Sequence, residues 1–573
     1  MSIGAGEKSG WRWLLPVVLP GIALSVVPVF ASPFLGAKTV WLLIAGAIAV
    51  FACLGGEKIP FGNSLYNSLP TSLAKSLLWS ATVWIVVVVV SSLHARNWAE
   101  SWHVIAPCAA ATLLCIAFVR QRIAVEITVA AIAVSAVAVA AFAICGHFGY
   151  DLPRLFAGAA APGRMRAAST LGNPLFVASF LSSAVWAVLA LPLRIAWRIA
   201  AAIVVLGGMA ATTERTALFA FAAGAVVFAL SGGATFRQRA LVLTLLLLLA
   251  GWYASGRARN PRSLAEAAQG RMFLWKHSLR DVTLLGSGPG SFYRVYNGNL
   301  REAAASISPS QFHFVNYETD SYNIFVQALV EDGCLGLAAM LVFFAVWFRT
   351  AWFRVSWFRT SSQAPTNSRT ALQECCALAG VAAFLASGVW DDPLSRPEGM
   401  ALLAVWLAVP ALPLLRENLF ADNSASFKIK SSRSGITKAF PIIAPFIFML
   451  LLSAAAITAL TNYAVRAGEQ AEDSGDWARA EGLDRTVLRL DPAQRDARYN
   501  LVRVLAKSGK YQASLSESEK ALDWVNEAEL HVIRIRVLPM LGRTQQAREE
   551  LTHAREEFPW SKRLQQESVP GSN

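Results

Sequence analysis

Thirteen stretches of about twenty apolar residues each constrain this chain more than any other feature, because roughly that length is what a helix needs to cross the hydrocarbon core of a bilayer. They run near 14–32, 38–54, 76–93, 104–119, 123–145, 174–191, 195–211, 216–231, 238–254, 322–348, 371–390, 398–415 and 439–461. The composition agrees: 55% of the 573 residues are hydrophobic and only 15% are charged, against about 25% charged in an ordinary soluble domain. Charges are sparse up to about residue 460 and dense after it. A single soluble enzyme, a disordered chain and a secreted disulfide scaffold are excluded. The expectation is an all-α polytopic membrane protein with about 12–13 transmembrane helices, divided into a membrane domain over 1–461 and a separate C-terminal domain over 462–573. The first span follows Lys8 and Arg12 and has small residues around Ala31, like a signal peptide; further spans follow at once, so an uncleaved helix is the better reading. Cys53, Cys108, Cys115, Cys145, Cys334, Cys375 and Cys376 lie in or beside apolar stretches without metal-ligand spacing, and read as small buried hydrophobes.

Loop charges set the orientation. With the N-terminus inside, the cytoplasmic loops carry Lys58 and Lys75, Arg120 and Arg122, Arg194 and Arg198, Arg237 and Arg239, then Arg349, Arg354, Arg359 and Arg369, and finally Arg416, Lys428, Lys430, Arg433 and Lys438. Every inside loop is basic, as the positive-inside rule requires. The N-terminus is therefore expected in the cytoplasm, with the long 255–321 loop and the tail on the extracytoplasmic side, the periplasm in a cell with two membranes.

The tail repeats. Gly475-Asp476-Trp477, Gly509-Lys510-Tyr511 and Gly542-Arg543-Thr544 recur at intervals of 34 and 33 residues, with Ala480, Ser514 and Ala547 five residues after each glycine. Pro492 and Pro559 each follow their glycine by 17 residues. A period near 34 with a small-residue turn between two amphipathic helices is the tetratricopeptide signature, an α-solenoid for which about three units are the minimum. Such arrays bind peptides or neighbouring subunits; a structural lid over the membrane domain is the alternative.

Basic residues number 51 against 37 acidic, a formal net charge of +14 at pH 7. No dense Lys/Arg run accompanies the excess, so nucleic acid is not an expected partner. Topology explains part of it, but Arg154, Arg164, Arg166 and Arg215 fall in short outer loops where no rule demands them. The 255–321 loop adds Arg257, Arg259, Arg262, Arg271, Lys276, Arg280, Arg294 and Arg301 against Glu266, Asp281, Glu302, Glu318 and Asp320. Arginine near hydrocarbon is expensive, about 2.5–3.5 kcal/mol at a helix centre and less toward the interface. These side chains must meet carboxylates, lipid head groups or an anionic substrate. Phosphate suits guanidinium best, because a fixed fork of donors that stays charged binds its oxygens bidentately.

Three segments resemble the O-antigen ligase and polymerase superfamily of polytopic glycosyltransferases. Arg166-Ala-Ala-Ser-Thr-Leu-Gly172-Asn173-Pro174 precedes a span; Thr213-Glu214-Arg215-Thr216-Ala217 opens one; and Arg271-Met-Phe-Leu-Trp275 leads through Leu285-Gly286-Ser287-Gly288-Pro289-Gly290 to Tyr322-Asn323-Ile-Phe-Val-Gln327 and Glu331-Asp332-Gly333. Their order around one large loop matches the family over roughly residues 14–415. The resemblance implies transfer of a glycan from undecaprenyl pyrophosphate to an acceptor hydroxyl (a lipid A core, a growing glycan or a protein) on the outer face of the bacterial cytoplasmic membrane, without metal, nucleotide or other cofactor. It implies that Arg215 and Arg271 hold the pyrophosphate, and that Arg166, Asn173, Arg280 and Asn323 contact the donor.

The chain departs from the family at Tyr322, where relatives carry histidine. Tyrosine, with an unperturbed pKa near 10, is a poor base unless arginines lower it. His313, Asp320, Glu318 and the Asp391-Asp392 pair are the other candidates. A base-free mechanism and an inactive homologue also remain open. The Gly286-x-Gly-x-Gly290 run lacks a surrounding βαβ pattern, so it reads as a tight turn beside the site and not as a dinucleotide fingerprint. Two other classes compete with a transferase. A non-catalytic scaffold would recruit partners through the repeats, and a lipid or glycan transporter would show internal repeats and charges at mid-membrane.

Overall fold

The computed structural model describes residues 11–54, 71–120, 125–158, 167–232, 234–255, 261–360, 368–420 and 435–569. Among them the secondary structure is entirely helical, and each of the thirteen apolar stretches contains a helix. Ten precede the long loop: α1 (Trp11–Leu24), α2 (Leu35–Leu54), α3 (Thr71–His94), α4 (Trp98–Arg120), α5 (Val125–His147), the short α6 (Leu152–Phe156), α7 (Pro174–Ala190), α8 (Ile195–Thr212), α9 (Thr216–Leu230) and α10 (Phe236–Ala254). The loop contributes α11 (Pro261–Ser278), α12 (Phe292–Glu302) and two 3₁₀ turns, Ala304–Ser306 and Pro309–Phe314. Then come α13 (Ile324–Glu331), α14 (Gly333–Thr360), α15 (Ser368–Ser387), α16 (Pro397–Phe420) and α17 (Gly435–Asp473).

Eight of these helices are long and apolar enough to cross a membrane, which marks a multi-pass membrane protein. The remaining apolar stretches fall short of that length or purity for visible reasons. Helix α1 holds Pro16 and Pro20 and stops at Leu24, so the expected span to residue 32 ends in a non-helical segment. That segment is tied to α17, where the Asn462 carbonyl accepts Ala31 N–H and its side-chain oxygen accepts Ser32 N–H. Helices α7 and α9 have 17 and 15 residues, and α10 opens on Phe236-Arg237-Gln238-Arg239.

The expected span 322–348 is two helices, which corrects the single-helix reading. Gly333 takes φ of +73° between α13 and α14 because the Gly286 turn lies against it backbone to backbone. A Cβ on Gly333 would sit 2.3 Å from the Leu284 carbonyl oxygen, and one on Gly286 would sit 2.2 Å from that of Glu331. The glycine run is thus a backbone-packed turn that bends the chain out of the membrane helix and toward the loop.

Packing inside the bundle is close. Trp186, Trp347 and Trp406 are fully buried. Trp186 lies against Phe221 and Phe228, and the Trp406 indole N–H donates to the Ser183 hydroxyl, which itself donates to the Gly380 carbonyl. These contacts lock α7, α9, α15 and α16 together, and so fix the links at their ends.

Helix α17 runs unbroken through the boundary expected at 461–462, joining membrane helix to tail. Six helices follow: α18 (Trp477–Leu490), α19 (Arg495–Lys507), α20 (Tyr511–Leu522), α21 (Ala528–Met540), α22 (Thr544–Glu557) and α23 (Lys562–Gln566). Gly475, Gly509 and Gly542 each take φ between +73° and +78° where one helix ends and the next begins. The tail leans on the loop: Arg301 pairs with Glu557 at 2.6 Å, the Tyr293 hydroxyl donates to Glu527, Arg495 stacks 3.8 Å over the Tyr293 ring, and Ala528 N–H donates to the Tyr317 hydroxyl.

Candidate functional site

Three links and helix α11 converge at one end of the bundle. The first joins α8 to α9. Thr213 takes the left-handed conformation at φ +60°, and the turn is fixed by Glu214 N–H donating to the Thr212 hydroxyl and by the Tyr253 hydroxyl of α10 donating to the Glu214 carbonyl at 2.7 Å. So short a turn holds Glu214 and Arg215 close to the bundle surface, each half-buried. Among the described residues, neither side chain has a hydrogen-bond or ion-pair partner.

The second element is α11, which carries Arg271 and Trp275 one turn apart. Arg271 donates to the Tyr322 carbonyl at 3.4 Å, and its guanidinium lies 4.7 Å from the centre of the Tyr322 ring. The Trp275 indole donates to the Ser321 carbonyl at 2.9 Å, and its ring sits 6.1 Å from that of Trp390.

The third element is the segment entering α13. Tyr322 has φ of +51°, held by its own N–H donating to Asp320 and by the Ser321 hydroxyl donating to the Asn323 carbonyl. The Tyr322 hydroxyl donates to Glu318 at 2.9 Å.

The fourth is the α15–α16 link. Arg396 donates to Asp391 at 2.9 Å, reaches Asp320 at 4.0 Å and lies 3.0 Å over the Phe176 ring at the start of α7. Asp392 accepts Leu394 N–H.

The electrostatics join these links into one cluster. Burial raises the Glu214 carboxyl above the usual range; Arg271 opposes that shift and Asp391 adds to it. Burial likewise raises Glu318, against the hydrogen bond from Tyr322, and raises Asp320, against Arg396. Asp392 is pushed up to about 7 by burial, with Asp320 adding like charge. Burial lowers Arg271, and Asp391, Tyr322, Glu214 and Asp320 hold it up. Tyr322 moves the wrong way for a base: burial, then the charges of Asp320 and Glu318, raise its phenol above the ordinary value.

The candidates read from sequence separate accordingly. Arg271 and Tyr322 meet, and Arg215 sits on the link whose Glu214 feels Arg271. Asn323 has a structural part: its side-chain oxygen caps α13 by accepting Phe325 and Val326 N–H, while its amide donates one N–H to the Val389 carbonyl at 3.0 Å. It anchors the start of α13 at the site, with the second N–H of its amide still free to donate. Asn173 caps α7 by accepting Leu175 N–H. Arg280 is exposed past the end of α11, with His277 as the titratable group that feels it. His313 is exposed on the 309–314 turn, its ring 3.9 Å from Phe314. Arg166 lies outside the described residues.

Part of the arginine surplus is neutralised within the chain: Arg154 by Asp151 at 3.7 Å, Arg294 by Glu100 at 3.4 Å and Arg301 by Glu557 of the tail. Sequence reasoning assigns no role to Arg396 or Trp390, nor to Glu214 and Trp275, which it meets only as members of motifs. For Arg396 a signal existed, since it follows Asp391-Asp392 by only a few residues in one short link. Trp390 carried none, being one aromatic among many at the end of an apolar run. The chain matches no family model and no curated protein.

Proposed function

We propose that this chain is a glycosyltransferase of the O-antigen ligase or polymerase type, which moves a glycan from undecaprenyl pyrophosphate to an acceptor hydroxyl at the outer face of the bacterial cytoplasmic membrane. The observation that carries the reading is Arg215, a half-buried guanidinium without a protein partner, on the link whose neighbouring residue feels Arg271. A cation withdrawn from water and left unpaired is unfavourable unless an anion comes to it. A diphosphate on a lipid tail places its charge at this depth. Arg154, Arg294 and Arg301 each meet a carboxylate; among the described residues Arg215 meets none.

Arg215 and Arg271 would hold the diphosphate and stabilise charge that builds on it as the glycosidic bond breaks, the effect that fixed cations supply best. Trp275 and Trp390 present flat apolar faces beside the carboxylates, a combination suited to sugar rings and their hydroxyls. In this reading the N-terminus is cytoplasmic, the 255–321 loop faces outward, and the tail is an extracytoplasmic tetratricopeptide-like solenoid leaning on that loop. The transporter reading loses ground because Lys38, Arg354, Glu374 and Glu398 all sit near helix ends and not at mid-span.

Deletion of the gene, followed by electrophoresis of surface polysaccharide and glycoproteins, tests the proposal. Loss of long chains, loss of their attachment, or loss of protein glycosylation would each support it and name the acceptor. Full complementation by Arg215→Ala would refute it in favour of a scaffold.

A further inference from the structure

The proposed transfer needs a group to take the acceptor hydroxyl proton, and the geometry disposes of the obvious choices in turn. Tyr322 already donates its proton to Glu318. Glu318 accepts that bond, so its lone pairs are partly engaged. Asp320 accepts Tyr322 N–H and faces Arg396. Asp391 is fully buried and bonded to Arg396, and Asp392 is buried and caps the turn at Leu394. His313 stands apart on its exposed turn.

Glu214 differs from all of these. Its backbone is pinned from both sides, by Thr212 and by Tyr253. Its carboxylate has no partner among the described residues, and it is half-buried, so a ligand can reach it. The next residue is the unpartnered Arg215.

We infer that Glu214 is the general base of the transfer, a role that rests on the transferase reading given above. The acceptor hydroxyl gives its proton to a Glu214 carboxylate oxygen as its own oxygen forms a bond to the anomeric carbon. The bond from that carbon to the diphosphate oxygen breaks, and its electron pair remains on the diphosphate, beside Arg215 and Arg271. The proton leaves Glu214 to water once the lipid diphosphate departs. A single displacement of this kind inverts the anomeric configuration. The charged groups that act on Glu214 are Arg271 from α11 and Asp391 from the α15–α16 link, Tyr253 from α10 holds its backbone carbonyl, and Arg215 follows it in the chain. Burial and Asp391 favour its protonated form while Arg271 opposes them, which brings the carboxyl toward the pH range where a base is most effective.

The test uses the full chain in lipid nanodiscs with an undecaprenyl-pyrophosphate-linked oligosaccharide and the acceptor that the genetic experiment selects, following release of undecaprenyl pyrophosphate and anomeric configuration across pH 5–9. Glu214→Gln is expected to lower kcat by at least about 100-fold, with the KM for donor within threefold, and to abolish the acid limb of the pH profile. Glu214→Asp, which keeps a carboxylate, is expected to retain that limb with a smaller loss. Turnover by Glu214→Gln within threefold of wild type, an unchanged acid limb, or retained anomeric configuration would overturn the inference while leaving the transferase reading intact. If wild-type protein releases no product, the transferase reading itself fails. A Glu214→Gln protein that does not fold passes the decision to Glu214→Asp, where loss of the acid limb would overturn the assignment.

Discussion

Removing Arg396 exposes how the site is held together. Its guanidinium and the Asp391 carboxylate are 6% and 0% exposed and 2.9 Å apart. Arg396→Ala would leave Asp391 buried without its partner. Breaking a buried pair from one side costs about 3–5 kcal/mol. Arg271 is within electrostatic reach of Asp391 and takes over part of the charge, so the low end, about 3 kcal/mol, is expected, and the contact with the Phe176 ring is lost as well. The pair itself is incomplete, since Asp391 Oδ2 and Arg396 Nε are buried without partners. Its net contribution should therefore be far smaller than the penalty for breaking it. Adding Asp391→Asn to Arg396→Ala should accordingly recover at least about 1 kcal/mol, within the range of coupling seen between contacting groups. Equilibrium unfolding in mixed micelles titrated with denaturing detergent measures Arg396→Ala, Asp391→Asn and the double variant. An Arg396→Ala protein within about 0.5 kcal/mol of wild type, in the range of an ordinary surface substitution, or strict additivity in the double variant, would refute this account.

Other expectations follow from the same geometry. Tyr322→Phe removes the bond to Glu318 but no base, so it should lower transfer by less than tenfold, read as initial rate in nanodiscs. Gly333→Ala should sharply reduce folded protein, since left-handed backbone alone costs about 1–2 kcal/mol and the added carbon meets backbone atoms of Leu284 and Gly286; monodisperse yield in detergent measures it. In the tail, Asp484 is 1% exposed, with both carboxylate oxygens lacking a hydrogen-bond partner. Burial, then Glu472 against the opposing Arg503, pushes it up to about 7. A folded-state pKa above the unfolded value contributes stability that is complete below about 4 and is lost as pH rises through about 7. Hydrogen exchange of α18 and α19 in the full chain should quicken from pH 5.5 to 8.5 beyond the intrinsic chemical rate, and Asp484→Asn should flatten that excess.

The sequence made the helices legible because each apolar run is long, and hydrophobic length is a local property. The tail was legible for a similar reason: glycine must recur wherever the chain reverses in the left-handed region, and Gly475, Gly509 and Gly542 do so. The break at Gly333 was harder to read. Apolar residues continue through it, and what stops the helix is a backbone contact with Gly286, 47 positions earlier in the chain. At the site, charge in an unexpected place pointed to Arg215 and Arg271, but it also flagged Arg294 and Arg301, whose partners Glu100 and Glu557 are distant in sequence. Pairing of that kind becomes visible only after folding. The same limit concealed Glu214, which as one acid among many gave no hint that its neighbours would leave it unengaged.

Direct binding of undecaprenyl pyrophosphate without any glycan, measured by native mass spectrometry on the full chain in nanodiscs, bears most closely on the grip of these arginines. One bound lipid per chain is expected, weakened at least tenfold by Arg215→Ala and by Arg271→Ala, and only poorly restored by Arg215→Lys, whose point charge lacks the bidentate fork. Equal affinity in wild type and all three variants would contradict it.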